Sequence, residues 1–347
     1  MTFANDVLQG HLKSWLENKM PEAVGLEITG FEKTSSGTSN ETWFLTINYA
    51  EQGKKNTEKM VVRWAPETSA LLHTYNLREQ FDLMSHLRAS PVPVPGVYWF
   101  EDDTTIIGTS FFVMERIDGE VIDLDPSSAG FQKLCDATPA ERQRLWEQLI
   151  KTIAQIHSLD WQALGLGFLR GSDGPEAALD SEIGWWEDFL HYSKVEMPVF
   201  HKAFEWLRIH KPVNSGIGLC WGDARLGNLL FRDGDVQGVL DWEMAYIGPP
   251  ECDVMYMCVM TETMNTLLGL PPMEGAMTTR EVCDYYESVS DRKLANIEYH
   301  EFFATLKTAI GLCRAGKILE DAGIGGFPEG FFTNNPATRK LEQLLVS

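Results

Sequence analysis

The sequence predicts an α+β fold in which a small antiparallel sheet precedes a larger, mainly helical region. Through the first third, runs of β-branched and aromatic residues alternate with polar turns, which is typical of strands. From about Asp118 onwards, apolar residues recur instead at the spacing of helices. We therefore expect two lobes, an N-terminal one over residues 1–117 and a C-terminal one over residues 118–347.

A hairpin is the first element predicted in the N-terminal lobe. Residues 42–49 and 60–64 are rich in aromatic and β-branched side chains, and the polar segment AEQGKKNTEK between them is expected to be the turn. Residues 97–100 and 109–116 are two further predicted strands. One helix is expected between the hairpin and these strands, ending before Pro91, which cannot continue it. Its apolar residues share helical spacing and are Leu77, Phe81, Met84 and Leu87.

The C-terminal lobe has a strong helix-start signal at Thr138. A Thr at the N-cap, Pro139 in the first helical position and Glu141 three residues after the cap form the pattern of a capping box. An apolar face then continues to His157, which we expect to be a hydrogen-bonded core residue rather than a catalytic base. Other helices are predicted at 185–192, 199–210, 280–288 and 299–319.

Composition limits the classes of function. The formal charge of -21 disfavours nucleic acid as a partner, because binding to phosphates requires Lys and Arg. No apolar run approaches the length of a membrane span, so no membrane insertion is expected. The six cysteines have neither zinc-finger nor paired spacing, which favours a reducing, cytoplasmic location.

The most informative segment lies between Gly218 and Glu243, where polar residues interrupt strand-like apolar runs. Asp233-Gly234 is a strong hairpin-turn signal, and folding about it pairs Phe231 with Val236. The same register brings residues 226–228 opposite residues 239–241, so that Asn228 and Asp241 meet at the open end of the hairpin. Asp223, five residues before Asn228, can face the same point.

Two carboxylates and an amide at one point form a hard-oxygen site of the kind that Mg²⁺ and substrate phosphates share. The order Asp, four residues, Asn, an apolar strand and Asp also suits phosphoryl transfer. That reaction needs one carboxylate to receive the hydroxyl proton, and an amide with a second carboxylate to hold the metal.

The segments WGDARLGNLLF and VLDWE resemble the catalytic segment of the aminoglycoside phosphotransferase family. The resemblance is greatest to the branch similar to the kinase-like domain fused to some acyl-CoA dehydrogenases. It implies a protein-kinase-like, two-lobed fold and transfer of a phosphoryl group from ATP or GTP to a small-molecule hydroxyl. It also implies that Asp223 is the base, that Asn228 and Asp241 are the Mg²⁺ ligands, and that Arg225 contacts phosphate or substrate.

The resemblance extends with lower specificity into the N-terminal lobe, which it implies binds the nucleotide. The segment TSSGTSN resembles the loop that covers the phosphates, with Ser36, Gly37 and Thr38 as its contacts. An ordinary turn is the alternative for this loop. The strand MVVRWAP would supply Arg63 to the nucleotide phosphates, with Glu79 as its ion-pair partner, although either could be a surface charge.

The segment FVMERIDG resembles the strand that leads into the kinase hinge. Backbone groups of Glu115 and Ile117 would then bind the edge of the adenine ring, and a buried strand end is the alternative. Asp253 resembles a structural acid of the C-terminal lobe that hydrogen-bonds the catalytic loop.

One position departs from the family pattern. The residue before Gly222 is usually His, and this chain has Trp221. Tryptophan cannot relay a proton, but in the related fold that His packs and organises the loop, which an aromatic can also do. This departure and the weak phosphate-loop pattern of TSSGTSN motivate an alternative function: a nucleotide-binding pseudokinase that acts as a regulatory or scaffold protein.

Overall fold

The computed structural model describes residues 5–34, 41–65, 71–213, 216–323 and 330–346. The chain divides into two compact units, one of Met1–Ser85 with Pro95–Ile117 and one of His86–Val94 with Asp118–Ser347. The first contains an antiparallel sheet with helices, and the second is mainly helical. The α+β class predicted from the sequence is therefore confirmed.

The first unit is built around a five-stranded sheet in which all paired strands are antiparallel. The strand order is β1-β2-β3-β5-β4. Its elements are α1 (Asn5–Lys19), β1 (Val24–Lys33), β2 (Glu41–Glu51), β3 (Lys54–Trp64), α2 (Leu77–Leu87), β4 (Val97–Glu101) and β5 (Phe111–Glu115). Helix α2 ends four residues before Pro91, as predicted.

The predicted hairpin is formed by β2 and β3, but its turn is shorter than expected. Only Gln52 and Gly53 lie between the strands, and both have positive φ, 50° and 79°. Two left-handed residues in succession match the right-handed twist of the flanking strands. The polar residues assigned to the turn instead continue the ladder, because an exposed ribbon needs no apolar side chains.

Two elements of this unit were missed from the sequence, namely α1 and β1. The buried residues of α1, Leu8, Leu12, Trp15 and Leu16, do recur at helical spacing. Its Trp15 indole donates to Glu101 Oε2 at 2.7 Å, and its ring packs edge-on against Phe111. Strand β1 has a weak strand pattern because Gly25 and Gly30 lie at its two register irregularities.

The second unit contains two small antiparallel sheets among helices. One sheet has the order β6-β8-β9 and the other pairs β10 with β7. The elements are β6 (Glu120–Val121), α3 (Ala129–Asp136), α4 (Pro139–His157), α5 (Pro175–Ser193), α6 (Pro198–Ile209), β7 (Gly218–Cys220), β8 (Leu229–Arg232), β9 (Asp235–Val239), β10 (Tyr246–Gly248), α7 (Glu251–Leu267), α8 (Thr279–Val289), α9 (Ile297–Asp321) and α10 (Pro336–Leu344).

The five helices predicted for this unit correspond to α4, α5, α6, α8 and α9. Helices α7 and α9 form its centre, because most of their side chains are buried, including Met255, Phe303 and Ile310. In the part of the chain that the structure describes, no helix combines the length and apolar character that crossing a bilayer requires. All six cysteines are free thiols.

The capping box at the start of α4 is present as predicted. Glu141 donates its amide to Thr138 Oγ1, and Glu141 Oε2 accepts from the Thr138 amide at 2.7 Å. We expect Thr138→Ala to lower the free energy of unfolding by about 1 kcal/mol, because an amide of the first turn loses its acceptor. Chemical denaturation measures the loss.

Thr266→Ala is the matched control. Thr266 is an exposed threonine near the end of α7, and its hydroxyl donates to the carbonyl of Glu262. The same change there should alter stability by less than about 0.5 kcal/mol. Equal losses in the two variants would contradict a capping role for Thr138.

Candidate active site

The hairpin of β8 and β9 has the predicted register next to its turn, but a register shift between Leu230 and Phe231 moves the open end by one residue, so that Leu229 rather than Asn228 pairs with Val239. Asp233 and Gly234 form its turn with φ of 55° and 81°, and Phe231 pairs with Val236. At the open end Leu229 pairs with Val239, and the Leu240 amide donates to the Asn228 carbonyl at 2.9 Å. The hairpin therefore places Asn228 beside the residue that precedes Asp241.

Asp223 is held by two donors that converge on one of its oxygens. Asn228 Nδ2 donates to Asp223 Oδ2 at 2.7 Å and to the Asp223 carbonyl at 2.9 Å. Arg225 Nε donates to the same Oδ2 at 3.0 Å. Because the Asn228 nitrogen faces Asp223, its amide oxygen points away from that carboxylate. Asp223 and Asn228 are largely buried, whereas the Arg225 side chain is 43% exposed.

Asp241 has a backbone conformation that few residues adopt. Its φ and ψ are both 61°, in the left-handed region, and a 3₁₀ turn over Trp242–Met244 follows it directly. A residue with a side chain at positive φ is strained, and such strain concentrates at functional sites. The Asp223 carboxylate raises the pKa of the Arg225 guanidinium, and Asp241 raises it further by a smaller amount. Arg225 therefore lies in the field of both acids.

The loop that carries Asp223 is fixed at its start by Asp253 of α7. The Trp221 amide donates to Asp253 Oδ2 at 2.6 Å and the Gly222 amide to Oδ1 at 3.0 Å. His157 Nε2 lies 3.2 Å from the same Oδ2, and its Nδ1 lies 2.9 Å from the Tyr286 hydroxyl. Asp253 thus hydrogen-bonds the loop, as expected, and His157 is a hydrogen-bonded core residue.

Trp221 ties the loop to the segment that carries Asp241. The side chain is fully buried, and its indole nitrogen donates to the Leu240 carbonyl at 2.8 Å. Its ring lies 6.0 Å from that of Trp242, centroid to centroid. Trp221 therefore packs and organises the loop, the role that an aromatic can fill at this position.

Tyr256 is a residue near the site that sequence reasoning missed. Burial, followed by the charge of Asp223, raises the pKa of its phenol well above the ordinary value. The phenol therefore stays protonated beside the carboxylate. Tyr256 lies on α7 within an apolar run, where periodicity indicates burial but not which face meets the loop.

The donor chemistry at this point fits a hard divalent cation. Carboxylate and amide oxygens are the ligands that Mg²⁺ takes from proteins, and Asp241 and Asn228 could supply one of each. A second group, His157, Cys220 and Asp253, also brings potential ligand atoms within 4.8 Å of one another. Those atoms are engaged in hydrogen bonds with protein groups, which account for that cluster without a metal.

The candidate nucleotide contacts lie in the first unit. Arg63 is on β3 opposite Phe112, and Glu79 is in the first turn of α2. The amide of Glu115, at the end of β5, donates to the Gly96 carbonyl at 2.7 Å, and Ile117 follows two residues later. Ser36, Gly37 and Thr38 lie outside the described residues. The roles of all these residues remain predictions.

Solved structures that align over nearly the whole chain define a kinase-like fold. A candidate aminoglycoside phosphotransferase from Ralstonia eutropha aligns with a TM-score of 0.72 at 23% identity, covering 97% of each chain. A thermostable mutant of APH(4)-Ia, in a ternary complex with AMP-PNP and hygromycin B, has a TM-score of 0.58 at 12% identity over 96% of this chain and 97% of that one. The protein-kinase-like fold predicted from the sequence is confirmed.

The family follows from the sequence. The model of the phosphotransferase enzyme family matches residues 30–275, and the chain belongs to this family. Mouse acyl-CoA dehydrogenase family member 10 is 29% identical over 262 residues, 75% of this chain, and human member 11 is 30% identical over 225 residues, 64% of it. The chain spans 22% and 26% of the lengths of these two relatives. The resemblance to the branch similar to the kinase-like domain of acyl-CoA dehydrogenase fusion proteins is therefore confirmed.

Gly222 allows the loop to pass close to the segment after Asp241. Its φ is 89°, and a Cβ there would lie 2.3 Å from the Met244 carbonyl oxygen. We expect Gly222→Ala to lower the free energy of unfolding by about 3 kcal/mol or more, because backbone strain and a collision with backbone add together. Chemical denaturation measures the loss.

Gly269→Ala is the matched control for backbone strain alone. Gly269 has φ 64°, but no atom lies within 4 Å of the Cβ that it would gain. Its loss should be about 1 kcal/mol. A loss at Gly222 no larger than that at Gly269 would show that the loop and Met244 can separate without cost.

Proposed function

We propose that this phosphotransferase-family protein transfers the γ-phosphoryl group of ATP or GTP to a hydroxyl of a small molecule. Asp223 would be the base, and Asn228 and Asp241 would hold Mg²⁺. The observation that carries the proposal is the convergence at Asp223 Oδ2, which accepts from Asn228 and Arg225 together. These contacts hold the Asp223 carboxylate beside the Asn228 amide, next to the hairpin end that leads to Asp241.

The chemistry would be an in-line displacement. The acceptor hydroxyl oxygen forms a bond to the γ-phosphorus while the bond from that phosphorus to the bridging oxygen breaks, and the nucleoside diphosphate leaves. Asp223 would take the hydroxyl proton at Oδ1, since Oδ2 is already held by two donors. Arg225, partly exposed, would contact a phosphate or the acceptor. Bound Mg²⁺ would supply neutralisation of the phosphate charge.

The N-terminal unit would bind the nucleotide. Arg63 would contact its phosphates with Glu79 as the ion-pair partner, and the loop with Ser36, Gly37 and Thr38 would cover them. The Glu115 amide already donates to Gly96, so we propose that Glu115 offers its carbonyl to the adenine edge. Ile117 would then donate its amide.

The acceptor is proposed only as a class. The relatives named as acyl-CoA dehydrogenase family members favour a hydroxylated acyl or lipid-like acceptor for this chain. The structural neighbour bound to hygromycin B favours an aminoglycoside. An acceptor screen should therefore compare hydroxyacyl compounds, sugars and small alcohols with hygromycin B. The class of compound that becomes phosphorylated would identify the acceptor.

Nucleotide binding can be tested without an acceptor. A ligand that binds only the native state raises the melting temperature, so ATP and GTP should each be tested with and without Mg²⁺. We expect a Mg²⁺-dependent rise for at least one nucleotide, and Asp241→Ala should remove the Mg²⁺-dependent part because it removes a charged ligand. Differential scanning fluorimetry measures both.

Asp235→Ala is the control for this experiment. Asp235 is an exposed acid near the turn of the same hairpin, where it pairs with Arg144. The Mg²⁺-dependent shift should survive in that variant. An equal Mg²⁺-dependent shift in wild-type protein and Asp241→Ala would contradict the assignment of Asp241.

The base can be separated from the metal ligands. Asp223→Asn should leave Mg²⁺-dependent nucleotide binding intact and cut turnover by roughly 10²–10⁴-fold, as expected for loss of a general base. Initial rates with the acceptor from the screen measure turnover, and Asp235→Asn is the matched control. Loss of nucleotide binding together with turnover would mean that Asp223 acts in binding.

The pseudokinase alternative makes a different prediction. It requires Mg²⁺-dependent nucleotide binding without turnover for every acceptor in the screen. It is motivated by Trp221 and by the weak phosphate-loop pattern of TSSGTSN. The buried indole, which donates to the Leu240 carbonyl, supports a packing role for Trp221. Binding without turnover would nevertheless favour a regulatory or scaffold function.

A further inference from the structure

An ionic cluster centred on a buried carboxylate lies in the second unit, formed by Arg170, Glu182 and Lys307. Glu182 of α5 is 1% exposed and Lys307 of α9 is 2% exposed. Lys307 Nζ donates to Glu182 Oε1 at 2.7 Å, and the Trp186 indole donates to the same oxygen at 3.0 Å. Arg170 Nε donates to Glu182 Oε2 at 3.1 Å. One buried carboxylate thus binds two cations.

Arg170 connects this cluster to the segment that follows Asp241. Its Nη1 donates to the Ala245 carbonyl at 3.0 Å and its Nη2 to the Met244 carbonyl at 2.9 Å. Its own carbonyl accepts from the Ile247 amide at 2.9 Å. Side chain and backbone of one residue therefore hold both ends of the stretch from Met244 to Ile247.

The surroundings leave Arg170 little freedom. Its guanidinium carbon lies 4.6 Å from the centre of the Trp185 ring and 4.8 Å from that of Tyr246. Burial would by itself raise the pKa of Glu182, but Lys307 and Arg170 outweigh burial and lower it. The carboxylate is therefore ionised and available to fix the guanidinium fork in one orientation.

We propose that Arg170, fixed by Glu182 and Lys307, is a positioning residue that holds the Met244–Ala245 carbonyls and thereby the left-handed backbone of Asp241. The 3₁₀ turn Trp242–Met244 follows Asp241 directly, so the carbonyls that Arg170 holds lie at the end of the turn that begins after Asp241. The catalytic consequence rests on the proposed function of Asp241 as a Mg²⁺ ligand.

Stability alone does not account for the cluster. A buried ion pair gains little over apolar residues of the same size, because desolvation offsets the attraction between the charges. A cluster that only filled space would not need the guanidinium to donate to two backbone carbonyls. The fork geometry is the feature that lysine cannot reproduce, since an ammonium group is a point charge.

The test is Arg170→Lys, which keeps a cation beside Glu182 but loses the fork. We expect hydrogen–deuterium exchange of peptides covering residues 241–248 to become faster by about tenfold or more, while peptides covering 229–239 change by less than about twofold. Arg144→Lys is the matched control, because Arg144 is an exposed arginine paired with Asp235 near the turn of the same hairpin. It should leave residues 241–248 unchanged.

A second readout separates positioning from general loosening. In Arg170→Lys the Mg²⁺ concentration needed for the nucleotide-dependent rise in melting temperature should increase by roughly 10–100-fold, as when a group that orients a metal ligand is removed. The rise caused by nucleotide without Mg²⁺ should not change. If wild-type protein shows no Mg²⁺-dependent rise, the proposed function fails, and hydrogen exchange still decides the positioning role.

Two results would overturn the proposal. One is unchanged exchange over residues 241–248 in Arg170→Lys, and the other is acceleration of similar size throughout the second unit. If Arg170→Lys does not fold, Arg170→Gln provides the same test, because it also removes the fork and leaves Lys307 paired with Glu182. The expected and contradicting outcomes are then the same.

Discussion

The arrangement of the site depends on one buried carboxylate, that of Asp253. An acid that is 1% exposed must have its lost hydration replaced by donors, and the amides of Trp221 and Gly222 provide them from the start of the loop that carries Asp223. His157 lies against the same group on the other side. The loop is thus attached to α7 through its backbone, and Asp223 follows at a fixed distance along the chain.

The two acids proposed for catalysis repel one another, so contacts elsewhere must hold them near a common point. Three ties do this through the backbone. Trp221 binds the Leu240 carbonyl, Gly222 lies against Met244, and Arg170 binds the carbonyls of Met244 and Ala245. The first two join the loop with Asp223 to the segment with Asp241, and the third joins that segment to a buried charge cluster. The positions of Asp223 and Asp241 therefore depend on contacts made by their neighbours. This suits the proposed phosphoryl transfer, in which catalysis is mostly positioning and charge stabilisation.

The parts of this structure that the sequence predicted depend on local signals. Asp233-Gly234 determines the hairpin register and so the neighbourhood of Asn228, and the residues around Thr138 determine the start of α4. The Arg170–Glu182–Lys307 cluster could not be predicted in this way. Lys307 is 125 positions from Glu182, and a charged residue in a helix ordinarily indicates a surface. The turn at Gln52 was predicted to be too long, because the polar residues of an exposed strand resemble those of a turn.

The same cluster restricts how the sequence of this protein can change over time. Loss of Lys307 would leave Glu182 with fewer partners, whereas loss of Glu182 would leave Lys307 and Arg170 without the carboxylate that binds both. Either single replacement is costly, although a pair of apolar residues could replace both charges with little change in stability. Positions 182 and 307 should therefore co-vary among relatives, appearing as acid with base or as two uncharged residues. Arg170, whose guanidinium also binds backbone carbonyls, should be retained only in those relatives that keep the charged pair at positions 182 and 307.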